Sequence, residues 1–476
     1  MSTPPPPPSD NSFVPPVRRS GVRTVLSYTG IPPSWLDKRP KLPSRNWLIF
    51  LSVTSSVVGL YAYDRRRCKQ IRQEYVEKVK HLSEVPADPF EVLRKVTVYG
   101  SKWPADEDYD QSLRYFRKYV KPILIAAGVD YEMIPGKRHG EIMKRVAEDI
   151  RLRRRLDLEI DIDSDVRKAL PTYRSPAVRR QNELEGGIVI IGRPTFKEFM
   201  AGLKKGWTSG LEKVDEDEEL ARILENDSHF DEPEDPRDFD MDEPSKKSPP
   251  LSAQTSPVFS PLQIRPSFAQ NSQQSPSLPT DVPAVIPPLP PLLLVSFTDY
   301  IGISQIPLMI WDFFNQRHKV LAGAQAGYRL VMNISRPIEV PESLDQQAAP
   351  DGDIQEQNLG DLDFDKQAES YYKKSLKDLP KDIEEIRTKY YESLAGKLAT
   401  ARELARGTRE PTKAELENPP PTEVELRAER LKKERRWRND VDGWNIIKPS
   451  TSVTWDPRFK NALRVFVDPP QESTSP

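Results

Sequence analysis

Residues 187–196 read GIVIIGRPTF. The first part, Gly187 to Gly192, is one continuous apolar run, the pattern of a strand buried on both faces of a parallel sheet. Phe196, Phe199, Met200 and Leu203 follow at helical spacing, so a helix starts directly after the strand. The same alternation appears upstream. Val92 to Tyr99 (VLRKVTVY) alternates like a strand and ends at Gly100. Leu113, Phe116, Val120, Leu124 and Ala127 then keep helical spacing until Gly128, with Pro122 as a kink point. Val129 to Ile134 reads as another strand, closed by Pro135-Gly136. Ile142, Val146 and Ile150 mark the next helix, which runs into Arg151, Arg153, Arg154 and Arg155. Strand and helix in repeated alternation predict a parallel α/β layer structure over residues 91–212.

In such a sheet the chemistry sits in the turns after strands. Here those turns are Gly100-Ser101-Lys102, Gly136-Lys137 and Gly192-Arg193-Pro194-Thr195. None has the several glycines that let a backbone cradle phosphate before a helix. They predict ordinary strand-to-helix turns, with Lys102 and Arg193 as the only phosphate-facing candidates. No catalytic, cofactor-binding or metal-ligating residue is assigned. With a single cysteine (Cys68) and four scattered histidines (His81, His139, His229, His318), neither a disulfide framework nor a Cys- or His-built metal centre is expected.

The order and wording of this region, from Lys95 to about Gly206, resemble the nucleotide-binding half of diacylglycerol and acylglycerol kinases. The likeness lies in Lys95-Val96-Thr97-Val98-Tyr99, Pro122-Ile123-Leu124, Gly128-Val129-Asp130 and Ile188 to Glu198. Those kinases carry Gly-Gly-Asp-Gly-Thr after the last strand. Here only Gly192 and Thr195 remain. Ile191 replaces the first glycine, Arg193 the aspartate and Pro194 the later glycine. Proline offers no N–H to a phosphate, and arginine cannot act as a carboxylate. The resemblance implies a kinase-like scaffold in degenerate form, without the kinase reaction.

The rest of the 476-residue chain frames this unit. Its length allows two to three domains. Seventy-one Lys and Arg balance 72 Asp and Glu, a net charge of −1, which excludes the basic surplus of a protein that coats nucleic acid. Residues 1–45 form a basic, Pro-rich tail with the flavour of a mitochondrial targeting region, although its prolines prevent one long amphipathic helix. Residues 46–63, NWLIFLSVTSSVVGLYAY, carry no charge. As a helix they reach about 27 Å, close to a hydrocarbon core. Trp47 at one end and Tyr61 and Tyr63 at the other suit an aromatic belt. A single-pass transmembrane helix is therefore expected, followed by a juxtamembrane helix over 64–90. Basic residues flank both sides, so charge does not set the orientation.

Residues 213–291 are expected to be a disordered insertion. Asp215 to Glu243 holds 15 acids against two arginines, and Pro244 to Pro291 holds 13 prolines, a composition that cannot bury enough apolar surface. Residues 292–476 are expected to form a second α+β part with long helices. Leu292 to Phe297 reads as a strand. Ile301 to Asn315 is apolar but interrupted by Pro307 and Asp312, and is expected to pack on the domain rather than lie at the membrane surface. His318 to Met332 is a helix or strand edge, and 341–368 an acidic loop. Ile383, Ile386, Tyr390, Leu394, Leu398, Ala401 and Leu404 mark one long helix that packs within the molecule. Thr422 with Glu425 is a capping box before a charged helix ending near Trp437. Ala462 to Val467 closes the chain as a strand.

Ser27 to Arg39 (SYTGIPPSWLDKR), the span after Arg45-Asn46-Trp47, Val98-Tyr99-Gly100, Ile310 to Phe314 with Arg317-His318, and Trp455-Asp456-Pro457-Arg458 together resemble one family. It is the Tim fifty-four family, the large subunit of the carrier translocase in the fungal mitochondrial inner membrane. The resemblance implies an N-terminus in the matrix and a large domain in the intermembrane space. It implies a scaffold that assists insertion of multispanning carrier proteins. Its partners would be the channel subunit, small membrane subunits and small Tim chaperones, with no nucleic acid and no cofactor. An acylglycerol or diacylglycerol kinase, or a lipid-binding tether, is the alternative.

Overall fold

The computed structural model describes residues 44–84, 94–158 apart from 105, 175–211, 216–230 apart from 228, 282–340, and 360–470 apart from 375. The chain divides into two compact units at Tyr63 and Asp64. Helix α1 (Arg45–Ser83) contains both the uncharged run and the start of the basic stretch. No break separates the two helices expected at 46–63 and 64–90; residues 85–90 lie outside the described residues. In the first unit the run is long and apolar enough to cross a membrane, and its apolar stretch is not buried by protein. Three of its hydroxyls bond back to the helix: Ser52 donates to the Ile49 carbonyl at 2.9 Å, Thr54 to Phe50 at 2.7 Å and Ser56 to Ser52 at 2.8 Å. Such back-bonding gives these three hydroxyls a partner without water, which suits hydrocarbon.

The second unit is built on one sheet. Its strands are β1 (Lys95–Ser101), β2 (Asp130–Gly136), β3 (Ile188–Ile191), β4 (Leu292–Val295), β5 (Ser335–Pro337) and β6 (Arg464–Phe466), in the order β2-β1-β3-β4-β6-β5. All pairings are parallel except β5 with β6, which is antiparallel. The run at 188–191 is the central strand it reads as: Val189 pairs with Val98 on one side and Leu293 on the other. Val189, Ile190 and Ile191 are at most 1% exposed. Burying each such side chain stabilises by about 1.5–3 kcal/mol.

Alternate residues of each strand feed two cores. On one face Val96, Val98, Val189, Ile191, Leu293 and Val295 join a cluster with Phe116, Ile123, Val320 and Leu330. Phe116 and Ile123 come from a π-helical turn (Phe116–Val120) and α3 (Lys121–Ala126), which follow α2 (Gln111–Tyr115), and Val320 and Leu330 come from a helix after β4. On the other face Tyr99, Ile190 and Leu292 meet Ile142, Ile150, Phe199 and Leu203, from α4 (Glu141–Asp157) and α6 (Gly192–Thr208). Between those two helices in the chain lies α5 (Pro176–Gly186), and after them α7 (Glu216–Glu225). The result is helix–sheet–helix layering, as the alternating sequence requires.

Three expectations are corrected. First, the insertion is not structureless throughout 213–291. Helix α7 buries Leu220, and two of its acids are held by cations: Glu216 by Lys144 at 3.4 Å and Asp217 by Arg435 at 2.7 Å. Ile286 and Leu289 are also buried; residues 231–281 lie outside the described residues. Second, residues 292–476 do not build a separate sheet, because β4 and β6 extend the first one. Third, the apolar segment 301–315 is not core. Its helix α8 (Ile306–Phe314) has no buried residue.

Beyond it come α9 (Arg317–Met332), α10 (Leu379–Arg406) and α11 (Glu423–Ile447). The stripe Tyr390, Leu394, Leu398 and Ala401 of α10 packs on Leu426 and Trp437 of α11, so the long helix does pack within the molecule. The capping box at Thr422 and Glu425 is present in both directions. The helix it starts runs past Trp437 to Ile447, because Ile447 is buried in the core under the sheet.

Candidate functional site

Helices leave β1 toward β2 on one side while β3 lies on the other. The topological switch point therefore falls between β1 and β3, where a doubly wound sheet opens its ligand crevice. Two of the turns singled out in the sequence meet there. They are tied to each other rather than held open. Thr195, fully buried, accepts from the Ser101 backbone N–H at 2.9 Å, lies 3.0 Å from the Ser101 hydroxyl, and donates to the Ile191 carbonyl at 2.6 Å.

Arg193 points inward and is 4% exposed. Its Nε meets the Glu369 carboxylate at 2.8 Å, and its Nη1 donates to the carbonyls of Leu362 at 2.5 Å and Phe364 at 3.0 Å. One turn along α6, Lys197 meets the same carboxylate at 2.7 Å and donates to the Lys448 carbonyl at 3.1 Å. Burial lowers the Lys197 ammonium below its usual range, and Glu369 pulls it back up. The segment 360–372 is thus clamped over the crevice. Trp103, next after the first turn, packs edge-on against Phe297 at 5.4 Å and Tyr372 at 5.1 Å. Gly192 has a φ of +78°, and a Cβ there would sit 3.3 Å from the Phe297 side chain. Where a phosphate-binding turn would leave space before the helix, Phe297 occupies it.

Two more acids lie at this end of the sheet. Asp365 accepts from the Phe297 N–H at 3.1 Å, and burial pushes its carboxyl up to about 6. Asp299 is also pushed up to about 6, first by burial and then by Asp106 beside it. Below the crevice, Glu198 of α6 is fully buried and accepts from the Ile142 N–H at 3.1 Å, capping α4 from inside. Burial pushes its carboxyl up to about 8 against the pull of backbone N–H groups.

The other surfaces behave differently. The arginine patch at the end of α4 is largely structural. Arg154 is buried, donates to the carbonyls of Gly206 and Ser209 at 2.7 Å each, and lies over the Trp207 ring. Arg151 reaches the Ser209 hydroxyl at 2.8 Å, and Arg155 the Leu211 carbonyl at 3.1 Å. These arginines close the C-terminus of α6, where exposed carbonyls favour cations. A basic cleft of about 1130 Å³ does open between α4 and α11, lined by Arg138, Arg145, Lys433 and Arg436 among others, with Glu216 and Asp217 of α7 on its wall. Gly136-Lys137 joins no crevice: the Lys137 and Arg138 N–H groups bind Glu141, at 2.8 and 3.2 Å. Among the described residues no group of His, Cys, Asp and Glu could hold a metal ion.

Sequence inspection missed Glu369, Asp365 and Trp103. Glu369 lies 176 positions from Arg193. The available signal was two cations, Arg193 and Lys197, four apart on the apolar start of a helix, which demand a buried acid.

An exposed helix long and apolar enough to cross a membrane, followed by a mainly parallel α/β unit with its switch-point crevice filled by its own side chains, defines a class: α/β proteins with one candidate membrane span and a closed ligand end. A family model described as Inner membrane protein import complex subunit Tim54 matches residues 24–388. The mitochondrial import inner membrane translocase subunit TIM54 of Cryptococcus neoformans is 35% identical over 461 residues, covering 95% of this chain and 96% of that protein. That of Candida albicans is 30% identical over 356 residues, covering 66% and 84%. That of Aspergillus oryzae is 38% identical over 177 residues, covering 37% and 40%. The chain belongs to the Tim54 family of inner-membrane protein import complex subunits.

Proposed function

We propose that the chain is a non-catalytic scaffold subunit of the mitochondrial inner-membrane carrier translocase. It is held by one transmembrane segment, with its N-terminus in the matrix and its α/β unit in the intermembrane space. There it stabilises the channel complex and docks the small Tim chaperones that deliver multispanning carrier proteins. The observation that carries this is the closed crevice. Arg193, Thr195 and Trp103, with segment 360–372, occupy the switch-point crevice where a nucleotide would sit if the sheet bound one. What remains for interaction is surface, chiefly the basic cleft between α4 and α11.

Purification of the native protein from mitochondria in mild detergent, with cross-linking mass spectrometry, tests this. A pore subunit and small Tim chaperones cross-linked to residues 64–476 support it. Isolation alone, or with lipid-metabolism enzymes, overturns it. ATP-dependent phosphorylation of acylglycerol by the purified full chain would revive the kinase alternative.

A further inference from the structure

We propose that residues 303–314, which include α8, are an interfacial helix lying in the headgroup layer of the bilayer that the uncharged run of α1 enters. This rests on the anchor being transmembrane. Ile303 is 87% exposed, Trp311 70% and Ile310 55%, and Ile306, Met309 and Phe313 are exposed beside them. An exposed apolar patch of this kind marks a contact surface. Residues 303–314 reach only about 18 Å at 1.5 Å per residue, too short to cross a hydrocarbon core of about 30 Å. Such a segment lies on a membrane rather than through it.

Where the helix is fixed selects lipid as its occupant. The Arg317 N–H, directly after α8, donates to the Asp64 carboxylate at 3.2 Å. Arg65 hydrogen-bonds Gln316 and lies over the Phe313 ring, 5.8 Å from its centre. Asp64 and Arg65 are the first charged residues after the uncharged run. The exit of α8 is therefore pinned to the point where the anchor turns polar, which is headgroup level for a spanning helix. Charge agrees. The one acid of the segment, Asp312, is neutralised by Lys319 at 2.7 Å. Lys118 donates to Gln316 at 3.3 Å, next to Arg65. Its ammonium is lowered by burial first and by Arg65 second, so cations crowd here and anionic headgroups suit them. Trp311 is the residue type that settles at that depth.

The test uses the full chain in mixed phosphatidylcholine–phosphatidylglycerol vesicles. In a Cys68→Ser background, one cysteine is placed by Ile310→Cys, Val57→Cys or Val424→Cys and carries a fluorophore. Lipids spin-labelled near the headgroup or at mid-chain serve as quenchers, and iodide as the aqueous quencher. The fluorophore at 310 is expected to be quenched about twice as strongly by the shallow spin label as by the deep one, as a depth of about 5–10 Å requires. At 57 the deep label should dominate. At 424, whose side chain is 76% exposed on α11, only iodide should quench. A fluorophore at 310 reached by iodide and by neither lipid overturns the proposal. One shielded from all three also overturns it, in favour of a second copy of the chain. Position 57 reports the anchor independently: quenching there without lipid quenching at 310 sinks only the interfacial helix.

Discussion

Arg193 carries more structure than its place in a turn suggests. It joins the start of α6 to Glu369 and to two carbonyls of segment 360–372. Removing one partner of a buried pair leaves the rest desolvated and unpaired. Arg193→Ala should lower stability by about 3 kcal/mol, read from urea unfolding of the full chain in detergent, and should make segment 360–372 the first site of limited proteolysis. An unchanged midpoint would show that the clamp is dispensable. Glu198 makes a second residue-scale prediction. Its folded-state carboxyl sits near 8, above the ordinary carboxyl range. The folded chain therefore keeps a proton that the unfolded chain releases. This contribution is complete at acid pH and is lost as pH rises through about 8. Glu198→Gln keeps the neutral shape and the acceptor for Ile142. The melting temperature of the variant relative to the parent should rise steadily from mildly acid to mildly alkaline pH. A constant difference would show that Glu198 is ionised throughout.

Elements differ in how openly the sequence announces them. The strand at 188–191 was legible because a central parallel strand is apolar on both faces, and this run is too short for a helix and bounded by Gly187 and Gly192. The capping box was legible because its two side chains are three residues apart. Thr422→Ala should cost α11 about 1 kcal/mol, visible as a lower thermal midpoint, and a null result would mean that packing alone holds the helix start. By contrast α7 was hidden: its acids look like a solvated tail until Lys144 and Arg435 arrive from distant helices. The exposure of α8 was hidden for a related reason. Composition marks a segment as apolar but does not say whether protein or another solvent covers it. The plug over the crevice was least legible, since Glu369 lies in a stretch with no periodicity. One close approach adds a prediction. A Cβ on Gly443 of α11 would sit 2.3 Å from the His139 backbone. Gly443→Ala should therefore lift α11 from the turn before α4 and lower stability by about 1–3 kcal/mol, checked by chemical denaturation. Parent-like stability would show that the two segments part without cost.

For the whole molecule, attachment and architecture separate cleanly. Deleting residues 46–63 should release the protein from mitochondrial membranes in alkaline carbonate, whereas the full chain stays in the pellet. Retention of the deleted form would move the anchor elsewhere. The sheet has a different consequence. Its last strand in the chain, β6, is an inner one, seated between β4 and β5. The row therefore stays open until residue 466 has been delivered. A nascent or partly threaded chain must hold the bare edge of β4 until then. Closing such distant pairings is slow and leaves strand edges exposed to other chains meanwhile. A chain cut before Arg464 would thus lack an inner strand of the sheet, and such a truncated form should aggregate faster than the full chain.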